Sequence, residues 1–234
     1  MPPTSACLRT NFSTGACTGT ACVPSAGSCA GYGVFTGLTT GVTYRYEIRA
    51  QDQLGLSPMT DPTGTVTPTS GPALVMTEAL YDAVTSTESQ GEYVEVFNAG
   101  DADANACAYN LARSGSAGAA ACSGTVTVPS GGYAVLVGTS FCDAAVSSCE
   151  SGAWSLPVGT PLARGTLYVG PVSGALSNTS APTLELKSGA TVVTSIGGGG
   201  SCPQGESRTR VNVYAPDIPG AYACRPGTPG SPTP

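Results

Sequence analysis

Glu92-Tyr93-Val94-Glu95-Val96-Phe97-Asn98 is the stretch on which the fold turns. It is apolar on both faces apart from Glu95, so it belongs at the centre of a sheet. Further strand signals lie on both sides of it, at residues 74–80, 106–111, 125–128, 133–137, 167–169, 183–187, 191–196 and 208–213. Their spacing is that of an all-β sandwich. Leu184-Glu185-Leu186-Lys187 and Thr191-Val192-Val193 read as a hairpin across Ser188-Gly189-Ala190. Nothing in this half reads as a long amphipathic helix.

Upstream the character changes. Residues 1–30 are small, polar and cysteine-rich, without a sustained period of 2 or 3.6, and read as loops and short strands pinned by disulfides. Within 43–50, Tyr44, Tyr46, Ile48 and Ala50 fall on one side and Arg45, Glu47 and Arg49 on the other, the alternation of a half-buried strand. A short strand at 64–67 follows a loop over 52–62. Pro68-Thr69-Ser70-Gly71-Pro72 then reads as a stiff linker. The expected organisation is two β-sandwich modules in tandem: a cysteine-rich module over 1–68, a linker at 69–72, a larger sandwich over 73–231 and a tail at 232–234.

Ten cysteines and no histidine bound the chemistry. Histidine is the usual general base and the commonest metal ligand, so Ser-His-Asp, Cys-His and His-metal sites are excluded. Cys7, Cys17, Cys22 and Cys29 precede the linker, and Cys107, Cys122, Cys142, Cys149, Cys202 and Cys224 follow it. Even numbers on each side suit disulfides closed within separate units in an oxidising compartment. Neighbour pairing would join Cys107 to Cys122, Cys142 to Cys149 and Cys202 to Cys224, although sequence alone leaves the connectivity open. Charged residues are only 10% of the chain, and its nine Lys and Arg are scattered rather than gathered into a basic surface. Nucleic acid is therefore not an expected partner. No apolar run approaches the roughly 20 residues that cross a bilayer, so no membrane insertion is expected. The N-terminus has neither the basic start nor the apolar stretch of an export signal. With this cysteine content, the chain is expected to be a piece of a longer exported protein, a misplaced start being the other explanation.

Two stretches resemble known families. Gly37 to Asp52, followed by Gly55-Leu56-Ser57-Pro58, resembles the late strands of a fibronectin type III domain, with Tyr44 at the tyrosine corner whose hydroxyl bonds back to nearby backbone. The likeness covers about residues 32–68, and too few residues precede it for all the earlier strands. Downstream, Val75 to Tyr81, Gly91 to Asn98, Val128 to Val137, the hairpin, Gly205 to Arg210 and Gly227 to Pro232 resemble, in that order, the lamin tail domain. That resemblance implies an immunoglobulin-like sandwich over about 72–231. Cys107 and Cys122 add a staple to the pattern, and residues 138–165 are an insertion holding Cys142, Cys149 and Trp154.

Several residues invite a chemical reading. Glu95, semi-buried on a strand, and Glu78 could be acids or metal ligands, but a buried carboxylate is more often paired with a backbone amide or a cation, here Arg208 or Arg210. Asp101, Asp103 and Asn105 match the first oxygen positions of an EF-hand calcium loop, yet Ala106 and Ala112 stand where that loop needs Gly and Glu. A polar turn is the competing reading. Gly15-Ala16-Cys17-Thr18-Gly19 and Gly27-Ser28-Cys29-Ala30-Gly31 match a nucleophile elbow in letters but lack its strand, helix and base. No Cys-x-x-Cys occurs. The Gly197–Gly200 run lacks the Lys of a phosphate loop, and Asn11 and Asn178 open glycosylation sequons. Trp154 is either a surface contact residue or packed on the sandwich. No cofactor is expected. The expected role is non-catalytic: adhesion, binding of a protein or glycan, or spacing at the cell surface or outside the cell. An accessory domain of an exported hydrolase is the alternative.

Overall fold

The alternation of Tyr93–Asn98 builds the middle of a six-stranded sheet. The computed structural model describes residues 38–47, 51–52, 55–56, 63–165, 176, 182–197, 201–213, 217 and 221–231. Cys7, Cys17, Cys22, Cys29, both Gly-x-Cys-x-Gly stretches, the two sequons, Gly198–Gly200 and the expected strand at 167–169 lie outside these. The described residues fall into two compact units that part between Ser70 and Gly71.

In the first unit, β1 (Tyr44–Glu47), β2 (Gln51–Asp52), β3 (Gly55–Leu56) and β4 (Thr63–Val66) form two antiparallel pairs, β1 with β4 and β2 with β3. Tyr44 lies opposite Val66. Its hydroxyl accepts the N–H of Thr39 at 2.8 Å, a bond back to the chain five residues upstream.

The second unit carries β5 (Leu74–Leu80), β6 (Tyr93–Asn98), β7 (Ala104–Asn105), β8 (Asn110–Arg113), β9 (Ala119–Ala120), β10 (Thr127–Val128), β11 (Tyr133–Gly138) and β12 (Leu162–Gly165). It continues with β13 (Leu184–Ser188), β14 (Thr191–Ile196), β15 (Glu206–Arg210) and β16 (Tyr222–Pro226). Helical structure among the described residues is confined to short 3-10 turns, such as Glu88–Gln90 and Ala106–Ala108. The fold is all-β. The large sheet runs β12-β11-β6-β5-β15-β16, a four-stranded sheet runs β14-β13-β8-β9, and β7 pairs with β10.

The two larger sheets face each other across one hydrocarbon core. Met76, Val94, Val96, Ala134 and Leu136 project from the large sheet, and Leu111, Leu184, Leu186 and Ile196 from the small one. Disulfides Cys107–Cys122, Cys142–Cys149 and Cys202–Cys224 join the neighbouring pairs. The last ties the loop before β15 to the edge strand β16.

Three elements depart from the sequence reading. Residues 106–111 do not form one strand: Asn105 caps the turn Ala106–Ala108 by accepting the N–H of Cys107, and β8 begins only at Asn110. The end of the insertion at 138–165 returns to the large sheet as β12, parallel to β11. β16 adds the other edge, and its terminal Pro226 suits a strand with one unpaired side.

Candidate functional site

Alternation along β5 breaks at one place, and that break makes the site. Leu74 and Met76 face the hydrocarbon core, as do Ala79 and Tyr81, so the chain takes a step of three instead of two. A β-bulge between Met76 and Glu78 supplies the extra residue. Without it, Glu78 would share the inward face of Met76. With it, Thr77 and Glu78 both serve the outer face, beside Glu95 of β6. Glu78 and Glu95 are register partners, and both are fully buried.

Each carboxylate is surrounded by donors. Glu95 Oε1 accepts the Thr77 hydroxyl at 2.6 Å, and Oε2 accepts the N–H of Gly230 at 2.8 Å. Glu78 Oε1 accepts the Tyr93 hydroxyl and the N–H of Thr228 (2.9 Å), while Oε2 accepts the Thr228 hydroxyl at 3.1 Å. Residues 227–231 thus form a strap across the pair. Burial pushes the Glu95 carboxyl up to about 8, with the Glu78 charge adding to it, against the Thr77 hydroxyl and the Gly230 and Ser231 amides that favour the ionised form. Burial and then the Glu78 charge hold the Tyr93 phenol well above its ordinary value.

The expected cation partners are elsewhere. Arg208 pairs with Ala79 and Thr209 with Glu78, so alternation along β15 sends Arg208 and Arg210 to the side opposite Glu95. There Arg210 donates to Met76 O and Ser195 O and lies over the Tyr222 ring at 5.0 Å. Glu95 is completely buried rather than semi-buried.

The rest of the outer face is a second apolar cluster. Leu80, Tyr93, Val135, Val137, Phe141 and Leu156 are buried there, with Trp154 and Leu162 packed against them. Trp154 meets Tyr93 edge-on at 5.8 Å and donates its indole N–H to Gly91 O at 3.0 Å. It is packed on the sandwich, half-buried, by the insertion that carries it. Gly227 passes so close that a Cβ there would stand 2.5 Å from Tyr93 Oη and 2.8 Å from Trp154 Cη2.

Asp101, Asp103 and Asn105 are not gathered around a common point. Asp101 accepts the N–H of Gly71, Asp103 that of Ser130, and Asn105 those of Cys107 and Val126. Each accepts from a different part of the backbone. Among the described residues no group of three His, Cys, Asp or Glu side chains is placed to hold a metal. No helix among them is long and apolar enough to cross a membrane.

One open hollow of about 400 Å³ lies beside Cys142–Cys149, lined by Thr87, Gln90, Ser140, Ser147, Ser148 and Glu150 among others. The Glu150 carboxylate there is occupied by the Ser86 hydroxyl and the Thr87 N–H, the hydroxyl first among the causes that lower its affinity for a proton.

The sequence pointed to Glu95 and Glu78 and to a backbone amide as a partner, but not to which amides, because those of Gly230 and Thr228 lie 135 and 150 residues further on, in the strap. An acid serving as a catalyst must reach its substrate. Here protein donors lie directly on both carboxyls. Compared with protein-family models, curated proteins and solved structures, the chain matches none.

Proposed function

We propose that this chain is a non-catalytic binding or spacer module of a larger secreted or surface protein, with a small fibronectin type III-like unit followed by a lamin-tail-like sandwich. One observation carries the reading: the buried acid pair Glu78–Glu95, with one member strongly perturbed, is covered by the chain's own strap and filled with its own donors. Strongly perturbed acids are where catalytic sites are first sought, and this one is used in packing. Three disulfides support an oxidising location, where such bonds form and persist. The order of the strand motifs supports the family likeness, and the short unit ending at Ser70 supports a tandem arrangement.

The test is labelling of intact producing cells with a membrane-impermeant reagent, followed by mass spectrometry of the recovered parent chain with and without reduction. Labelled protein with its cysteines oxidised is expected. Recovery from the cytosol with free thiols would overturn the proposal. A catalytic domain adjoining this chain in the parent would instead favour the accessory-domain reading.

A further inference from the structure

We propose that residues 227–231 are a pH-operated latch, held on the outer face of the large sheet while Glu95 carries a proton and loosened as that proton is lost, which uncovers the Tyr93–Trp154 surface. The geometry comes first. The latch lies beyond β16 and pairs with no strand; bonds from Thr228 N, Thr228 Oγ1 and Gly230 N to the two carboxyls hold it, together with buried Pro229 and the close approach of Gly230 to Thr160 and Pro157. A turn shapes it, with Ser231 N–H on Thr228 O and Gly230 at φ +80, a backbone that suits glycine. Gly227 leaves no space between the latch and the rings of Tyr93 and Trp154. A segment outside the strand ladder, held by few hydrogen bonds, opens at lower cost than the sheet beneath it.

The acid pair supplies the trigger. Cross-strand partners on one face hold their side chains within about 5 Å, so two ionised carboxylates sealed there repel each other in a poorly screened setting. Opening admits water to both. The groups facing Glu95 from the surrounding elements are Glu78 and Thr77 on β5, Tyr93 on β6, and Thr228 and Ser231 on the latch. From β11 it meets Val135, which is apolar, and the alternation puts Tyr133 on the same face. Two cations share the face at its margins: Arg225 on β16, opposite Ser207, and Arg164 on β12, whose guanidinium lies over Phe141 and donates to its carbonyl. β15 contributes the hydroxyls of Ser207 and Thr209, which bond each other.

The closed-state carboxyl stands near 8, and water admitted by opening draws it down toward the ordinary 4.5, so the closed form holds more proton than the open one within this window. Opening therefore rises with pH, by up to about tenfold per unit, and levels off above about 8. Trp154, the only tryptophan in the chain, reports directly on the latch. The experiment follows hydrogen exchange of the Thr228 and Gly230 amides, corrected for intrinsic rate, together with Trp154 emission from pH 5 to 9. Latch protection is expected to fall with pH, by as much as about tenfold per unit, until about pH 8 while the Val94 and Val96 amides stay protected. In Glu95→Gln the pH dependence is expected to vanish. Should that variant not fold, Thr77→Val, which removes a donor that favours the ionised form, is expected to move the levelling-off point upward. Latch protection that is flat over this range, an unaltered profile in the variants, or latch and core opening together would overturn the proposal.

Discussion

The two faces of the six-stranded sheet are both buried, and they are held by different physics. At its centre the inner face meets the four-stranded sheet with aliphatic side chains, Val94, Val96, Ala134 and Leu136, with Asn98 and Arg210 hydrogen-bonded to backbone carbonyls at its margins, and most of its stability comes from apolar area removed from water. The outer face puts two carboxylates, a phenol and several hydroxyls beneath an insertion and a strap, so part of its stability depends on hydrogen bonds and on protonation. An apolar interior tolerates any pH but no missing volume. A polar one tolerates small changes of volume but depends on every donor.

That contrast orders the expected effects. Leu136→Ala, on the inner face, leaves a cavity between the sheets and is expected to cost about 2–5 kcal/mol in urea unfolding. A loss below about 1 kcal/mol would mean that the two sheets are not tightly packed at β11. Removing Cys202–Cys224 by double substitution to Ala opens a loop of 22 residues and is expected to cost about 3 kcal/mol, read as a lower melting temperature. Because this bond anchors β16, proteolysis of the variant should begin near the C-terminal edge of the sheet. On the outer face, Thr228→Val deletes one hydroxyl donor to Glu78 and keeps the amide. It is expected to cost about 1 kcal/mol in the same urea unfolding, well below the inner-face change.

Much of the inner face was legible from residue order, because it follows period two: β5 and β14 fall at the bounds read from the sequence, and β6 and β11 within a residue of theirs. The outer face was not. The bulge at Thr77 shifts every later residue of β5 to the other side, and a bulge leaves no mark on composition. A reader counting by twos places Glu78 with Met76, in hydrocarbon. β12, Leu-Ala-Arg-Gly, is too short and mixed to show a period, and β16 carries Cys224, Arg225 and Pro226 where alternation would be sought. The strap shows only turn residues, Gly227-Thr228-Pro229-Gly230-Ser231, and its purpose depends on carboxylates far earlier in the chain. Neighbouring cysteines were more informative, since short loops close readily. Asp101, Asp103 and Asn105 had the spacing of a cation loop, but the backbone around them uses their oxygens one by one.

The melting temperature of the protein and of Glu95→Gln between pH 5 and 8 tests most directly whether the outer face is sealed around a protonated acid. Glu95 has a folded value of about 8 against 4.5 for a solvated glutamate, so its contribution is complete below about pH 4.5 and is lost as the pH rises through 8. Glu185, held low by Ser114 and then by Lys187, acts in the opposite sense and only at more acid pH. The wild-type melting temperature should fall steadily across the window, while that of the Gln variant stays level and overtakes it at the alkaline end. A wild-type curve that rises with pH, or a variant that keeps the wild-type slope, would contradict the assignment.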